Sequence, residues 1–254
     1  MTETEWFACF NPDSLLYFLQ DSPSDRKLRL FAVACCRRIW GVMTDERSRH
    51  LVVVSERHAD GDATDLEWQE ASAEAAAAFA QSSRLTAPEL YGDPTCLVVP
   101  EQRVAAHAGH AATCAAWSLG QGVVNAIPGH WGRAMGHTVA TEAARAVHAD
   151  YPTSPERPAQ CDLLRDIVGN PFQHRPPLDP AWLTSAGRVV VTIAAAAYEE
   201  RMLPVGTLDP ERLGVLADAL EDAGCSDIAI LDHLRSPGPH VRGCWPLDLI
   251  LGKR

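Results

Sequence analysis

The chain has no apolar run approaching the roughly 20 residues that a membrane-spanning helix requires. Its longest candidate, Val189 to Tyr198, runs directly into Glu199, Glu200 and Arg201. Positive charge is also short: 22 Lys and Arg stand against 33 Asp and Glu, a formal net charge of -11. A negative surface repels phosphate backbones and anionic lipid, so the expected partners include neither nucleic acid nor membrane. The simplest reading of that charge is solubility. The sequence holds no run of alternating strands and no glycine-rich phosphate loop. No serine sits in a G-x-S-x-G elbow, and no cysteine has a local activating pattern. The commonest signatures of catalysis are therefore missing, and the reading leans away from an enzyme.

What is present is enough for a well-cored fold. A chain of 254 residues with 46% hydrophobic and 22% charged residues can bury a core without covalent staples. The first residues, Met-Thr-Glu-Thr-Glu-Trp, are acidic where a secretory leader is basic, which predicts a cytoplasmic protein. Its eight cysteines are then expected to be reduced. Adjacent Cys35 and Cys36 lie on an apolar helical stripe and read as small buried hydrophobes.

Helix signals dominate. Ser22-Pro23-Ser24-Asp25 combines a cap, a proline at the first helical position and an acid, and opens the stripe Leu28, Phe31, Cys35, Ile39, Val42. Thr44 can cap a second helix through Leu51 and Val54 to Gly61. Thr64-Asp65-Leu66-Glu67 is a capping box for an alanine-rich third helix to Ser82. Arg84 to Pro100 reads as loop, with a short extended piece at Leu97 to Val99. Glu101 to Ile127 and Ala134 to Asp150 read as helices. Tyr151 to Pro158 carries three prolines and is the expected joint between two lobes, 1–150 and 159–254, of one helical domain. Beyond it, helices are predicted over Cys161 to Val168, stopped by Gly169-Asn170-Pro171, over Gly187 to Met202, and over Glu211 to Asp222, ended by Gly224. Ser226 is placed as the cap of a helix holding His233, and Pro246 as the opening of a last helix through Leu251. The fold class is all-α: a multi-helix orthogonal bundle with little or no sheet.

Several strings resemble a large set of paralogous planctomycete proteins. They are Ser24-Asp25-Arg26-Lys27-Leu28-Arg29-Leu30-Phe31, Cys35-Cys36-Arg37-Arg38-Ile39-Trp40 and Thr44-Asp45-Glu46-Arg47-Ser48. Also among them are Cys161-Asp162-Leu163-Leu164-Arg165-Asp166-Ile167 with Gly169-Asn170-Pro171-Phe172, Leu216 to Glu221 with Gly224-Cys225, and the run Gly238 to Trp245. The resemblance covers both ends of the chain and leaves out roughly 62–151. It implies one common scaffold and supplies no catalytic residues. Large paralogue sets are often recognition modules.

Candidate chemistry concentrates near the C-terminus. Cys225, His233, His240 and Cys244 form C-x7-H-x6-H-x3-C, a ligand set that zinc accepts. The spacing is not that of a standard finger. The alternative is structural: Cys225 and Cys244 as small buried residues, with His240 bonding backbone carbonyls in a tight proline-glycine turn. No cofactor is required by this reading, with zinc as the one candidate. His107, His110 and Cys114 share a helical face and, with His130 or His137, form a weaker metal candidate.

Charged residues recur in apolar context: Arg37, Arg38, Asp45, Arg47, Asp162, Arg165, Asp166, Asp218, Glu221 and Arg242. Their expected role is to pin helices, with Arg242 reaching Asp218 or Glu221. Asp162 and Asp166, at i and i+4, are the paired-acid alternative. If a binding site exists, its candidate residues are His240, Arg242, Trp245, Asp166 and Asp218. The expected function is a non-catalytic interaction or regulatory module that binds another protein. The alternatives are a hydrolase or transferase with a polar pocket near His240 and Arg242, and a structural zinc module.

Overall fold

A computed structural model describes residues 1–19, 23–82, 107–112, 130–147, 154–173, 178–184 and 188–253. Helix predominates throughout. Two isolated β-bridges, Met202 with Thr207 and Thr207 with Val241, are the extended pairings among the described residues. No helix among them is long and apolar enough to cross a membrane. The chain divides into two compact units, Met1–Cys161 and Asp162–Arg254. The division falls a few residues past the proline-rich segment, inside a helix.

The first unit opens with α1 (Glu3–Ala8) and α2 (Pro12–Leu19). Thr2 and Glu5 cap the start of α1 with a reciprocal capping box. Ser24 caps α3 (Asp25–Arg38) by accepting from the Lys27 amide. Asp45, rather than the expected Thr44, caps α4 (Glu46–Ala59), because its carboxylate takes the Arg47 amide at 2.9 Å. Helices α5 (Asp65–Ser82) and α6 (His130–Val147) follow, with residues 107–112 helical between them. Helix α3 packs against α4 and α6, and α4 against α5. Cys35 and Cys36 are fully buried thiols, as the stripe through Phe31 and Ile39 predicts.

Ion pairs fix these helices to one another. Arg37 of α3 meets Glu56 of α4 with both side chains buried. Arg38 meets Glu156 with two hydrogen bonds, of 2.7 and 3.1 Å. This is the pinning role that the charge pattern predicts.

Helix α7 (Glu156–Val168) crosses the division, so that Asp162 to Val168 belong to the second unit. Short α8 (Pro180–Thr184) and α9 (Val189–Glu199) come next, then α10 (Pro210–Asp222), α11 (Ile228–Arg235) and α12 (Trp245–Leu251). Helix α9 packs on α8, α10 and α12, and α11 on α10 and α12. Their apolar faces enclose one core that includes Tyr198, Leu213, Leu216, Leu234, Leu247 and Ile250. Gly224, at φ +93, ends α10 as the punctuation predicts. Asp227, one residue past the expected Ser226, caps α11 through the amides of Ala229 and Ile230. The expected extended piece at Leu97 to Val99 and most of the helix over Glu101 to Ile127 lie outside the described residues, as does Cys114. The side chains of His130, Trp131 and His137 lie outside them too.

Candidate metal centre

Three segments of the second unit converge on one carboxylate. Asp166 lies in the last turn of α7, His233 in the last turn of α11, and His240 in the turn between α11 and α12. That turn is shaped by Gly238, whose φ is +84; a Cβ there would stand 2.7 Å from the His240 amide nitrogen. Only glycine fits, and the fit delivers His240 to the interior. The Leu208 amide donates to the His240 carbonyl at 2.8 Å and so ties down the turn.

The two imidazoles share one oxygen of Asp166: His233 Nε2 at 3.0 Å and His240 Nδ1 at 2.9 Å from Oδ1. The Val241 amide donates to the other oxygen at 2.9 Å. Cys244 Sγ completes the group, 3.3 Å from His233 Nε2 and 3.9 Å from His240 Nδ1. Asp166, His240 and Cys244 are buried, while His233 is partly open. Ligand atoms from all four residues lie within 4.8 Å of one another, and among the described residues no other group of three or more such side chains does this.

Proton positions follow from the outer partners. The indole Nε1–H of Trp245 donates to His233 Nδ1 at 3.1 Å. An indole nitrogen only donates, so His233 Nδ1 is bare and the neutral ring carries its proton on Nε2, towards Asp166. His240 Nε2 donates to the Ser236 carbonyl at 3.0 Å, as the structural reading of the turn predicts. Its Nδ1 also carries a proton towards Asp166 when the ring is charged.

The electrostatics agree. Burial alone would raise the Asp166 carboxyl, but the hydrogen bonds from His233 and His240 outweigh it and hold it below its usual range. Burial alone would lower His240, and the hydrogen bond and charge of Asp166 outweigh it, raising the imidazole. Burial, then the Asp166 charge, pushes the Cys244 thiol well up, so without a bound cation it stays protonated.

This donor set fits a tetrahedral ion. Zinc bonds of about 2.0 Å to oxygen and nitrogen and about 2.3 Å to sulfur give tetrahedral edges of roughly 3.3–3.5 Å. Four of the six edges here run from 2.9 to 3.9 Å and straddle that range, and all six lie within 4.8 Å. The hydrogen bond from His240 Nε2 to a backbone carbonyl is the support that a ligating histidine usually has on its far nitrogen. The donor set does not suit magnesium or calcium, which take oxygen ligands in larger number.

The expected four-residue set is therefore corrected at one position: Asp166 stands where Cys225 was placed. Cys225 lies in the apolar core of the unit, where burial raises its thiol. Nothing local in the sequence links Asp166 to histidines that follow it by 67 and 74 residues. Of the binding candidates, Asp166, His240 and Trp245 come together, and Arg242 and Asp218 do not join them. Arg242 is buried against the Tyr198 ring and bonds Glu199, and Asp218 is exposed and pairs with Arg235, as does Glu221. The expected Arg242 pairing with Asp218 or Glu221 is replaced accordingly. Asp162 is half exposed and pairs with Arg165 at 2.8 Å, whereas Asp166 is buried and bonded to the two imidazoles. In the first unit, His107 and His110 both meet Glu142, at 2.8 and 3.2 Å. Burial would raise Glu142, and these two hydrogen bonds outweigh it, bringing it to about 2.

No protein-family model, no curated protein and no solved structure matches this chain.

Proposed function

We propose that this protein is a non-catalytic α-helical interaction or regulatory module whose C-terminal unit is locked by the Asp166–His233–His240–Cys244 knot, a knot able to take a zinc ion. The observation that carries this is the convergence of four ligand atoms within 4.8 Å, on three separate segments of the unit. Three of the four side chains are buried and His233 is partly open, an arrangement that suits a structural role better than a reaction. The resemblance to planctomycete paralogues belongs to the same reading, as one scaffold carrying different recognition surfaces. Exposed Phe7, Phe10 and Tyr17 on the first unit are aromatics of the kind enriched at protein contacts.

Two measurements test the proposal. Apo protein titrated with cobalt(II) should develop the intense visible bands of a tetrahedral site and a thiolate-to-cobalt band, at one ion per chain. Cys244→Ser should lose the thiolate band. Absence of both bands in folded protein, with no zinc retained after purification, rules out the metal. For the partner, affinity capture from native extract with wild type and Phe10→Ser/Tyr17→Ser should differ by at least one retained protein. Identical captures count against recognition through these aromatics.

A further inference from the structure

We infer that Trp245 is a metal-responsive element of this knot, an inference that rests on the zinc reading above. In the metal-free arrangement the Trp245 indole N–H donates to His233 Nδ1 at 3.1 Å. That bond requires a bare Nδ1, and so places the imidazole proton on Nε2, facing Asp166 Oδ1 at 3.0 Å and Cys244 Sγ at 3.3 Å. His233 can offer Nε2 as a ligand only when that nitrogen is bare. In a neutral ring the proton must then sit on Nδ1. Two N–H groups would then point at each other across the Trp245 contact. The two states are mutually exclusive: either Trp245 is bonded to His233, or His233 is a ligand.

His240 shows no such conflict. Its Nε2–H is already committed to the Ser236 carbonyl at 3.0 Å, which leaves Nδ1 as the ligating atom once its proton is released. The knot thus holds one histidine oriented for metal and one locked against it.

Trp245 is the first residue of α12, and Leu247 and Ile250 of that helix lie in the core of the unit. Loss of the indole contact on metal binding therefore reaches the start of the C-terminal helix. The consequence is a two-state device: a hydrogen-bonded knot with Trp245 seated, and a metal-loaded knot with its indole N–H turned to another acceptor or to water. The hydrogen bond stabilises the metal-free state alone, so it weakens metal binding.

The test uses the whole 254-residue chain in apo form and zinc chloride as the only added ligand. The Trp245 indole resonance in a 15N-labelled sample, assigned through its contacts within α12, should shift when one equivalent of zinc is added. Trp245→Phe, which keeps the ring but removes the donor, should bind zinc about tenfold more tightly than wild type, the factor expected from one hydrogen bond of about 1.4 kcal/mol. Stoichiometric zinc binding with an unmoved Trp245 resonance overturns the inference and leaves the metal site standing. So does a folded Trp245→Phe variant with unchanged or weaker affinity. Failure of the wild type to bind zinc at all overturns the metal site itself, and this inference with it. The resonance is read on wild-type protein, so the test survives a variant that does not fold.

Discussion

At the residue scale, Asp166 shows what a buried charge requires of its surroundings. Both of its oxygens are occupied, by His233 and His240 on one and the Val241 amide on the other. Removing one partner of a buried ion pair strands the remaining charge, at a cost of about 3–5 kcal/mol. His240→Ala is expected to show a loss of that size in urea titration of the apo protein. His233→Ala should lose less, because its side chain is 20% exposed and water can replace it. Equal losses would contradict this ranking. The pH dependence follows from the two shifts. Asp166 is depressed from 3.8, so its contribution is complete above that value and is lost as pH falls through the folded-state value. His240 is raised from 6.5, so its contribution is complete below 6.5 and is lost as pH rises through the raised value. Between these limits the pair stabilises the fold most. In EDTA the wild-type urea midpoint should fall from pH 6 to pH 9, and His240→Gln should flatten that limb. A wild-type midpoint constant over this interval would mean that His240 is neutral in the fold.

At the element scale, helix ends decide where the site residues land. Asp227 caps α11 with two amide acceptances, of 3.0 and 3.3 Å, which sets the start of the helix that carries His233 in its last turn. Asp227→Ala should cost about 1 kcal/mol, while Ser226→Ala, at an exposed position outside the cap, should be neutral within about 0.5 kcal/mol. The reverse order in thermal melts would restore Ser226 as the cap. Choosing between adjacent Ser and Asp is beyond sequence reasoning, because either type caps well and the selection depends on which backbone torsions the chain adopts. The same ambiguity separates Thr44 from Asp45 at α4. Gly238→Ala tests the turn: its backbone is left-handed and its Cβ would stand 2.7 Å from a backbone nitrogen, so the turn must move. The expected loss is at least 1–2 kcal/mol, with a weakened cobalt spectrum because His240 moves with it.

At the scale of the whole molecule, each unit carries its own buried polar centre. In the first, Glu142 is held by His107 and His110; in the second, Asp166 is held by His233 and His240. The first unit adds the buried Arg37–Glu56 pair. Arg37→Ala should destabilise by about 3–5 kcal/mol, whereas Arg37→Met with Glu56→Leu should be near neutral, since both desolvated charges go together. Urea titration followed by far-ultraviolet circular dichroism separates these outcomes. A double variant as unstable as the single one would mean that the pair contributes more than it costs to desolvate.

Local patterning was enough for the all-α class, the stops at Gly224 and Gly169, the burial of Cys35 and Cys36, and the choice of His233, His240 and Cys244 as candidate ligands. Periodicity, capping residues and glycine positions act over a few residues, and that range is short enough to be read along the chain. Packing between distant segments settles that Asp166, not Cys225, completes the knot, that Arg242 pairs with Glu199, and that Asp218 and Glu221 take Arg235. Cys225 lies nearer to His233 in sequence than Asp166 does. Yet the turn after Gly224 carries its thiol into the apolar core, while α7 brings a carboxylate to the imidazoles. Contacts between distant segments depend on how the helices cross. Crossing is set by the packing of whole faces, which no single residue announces.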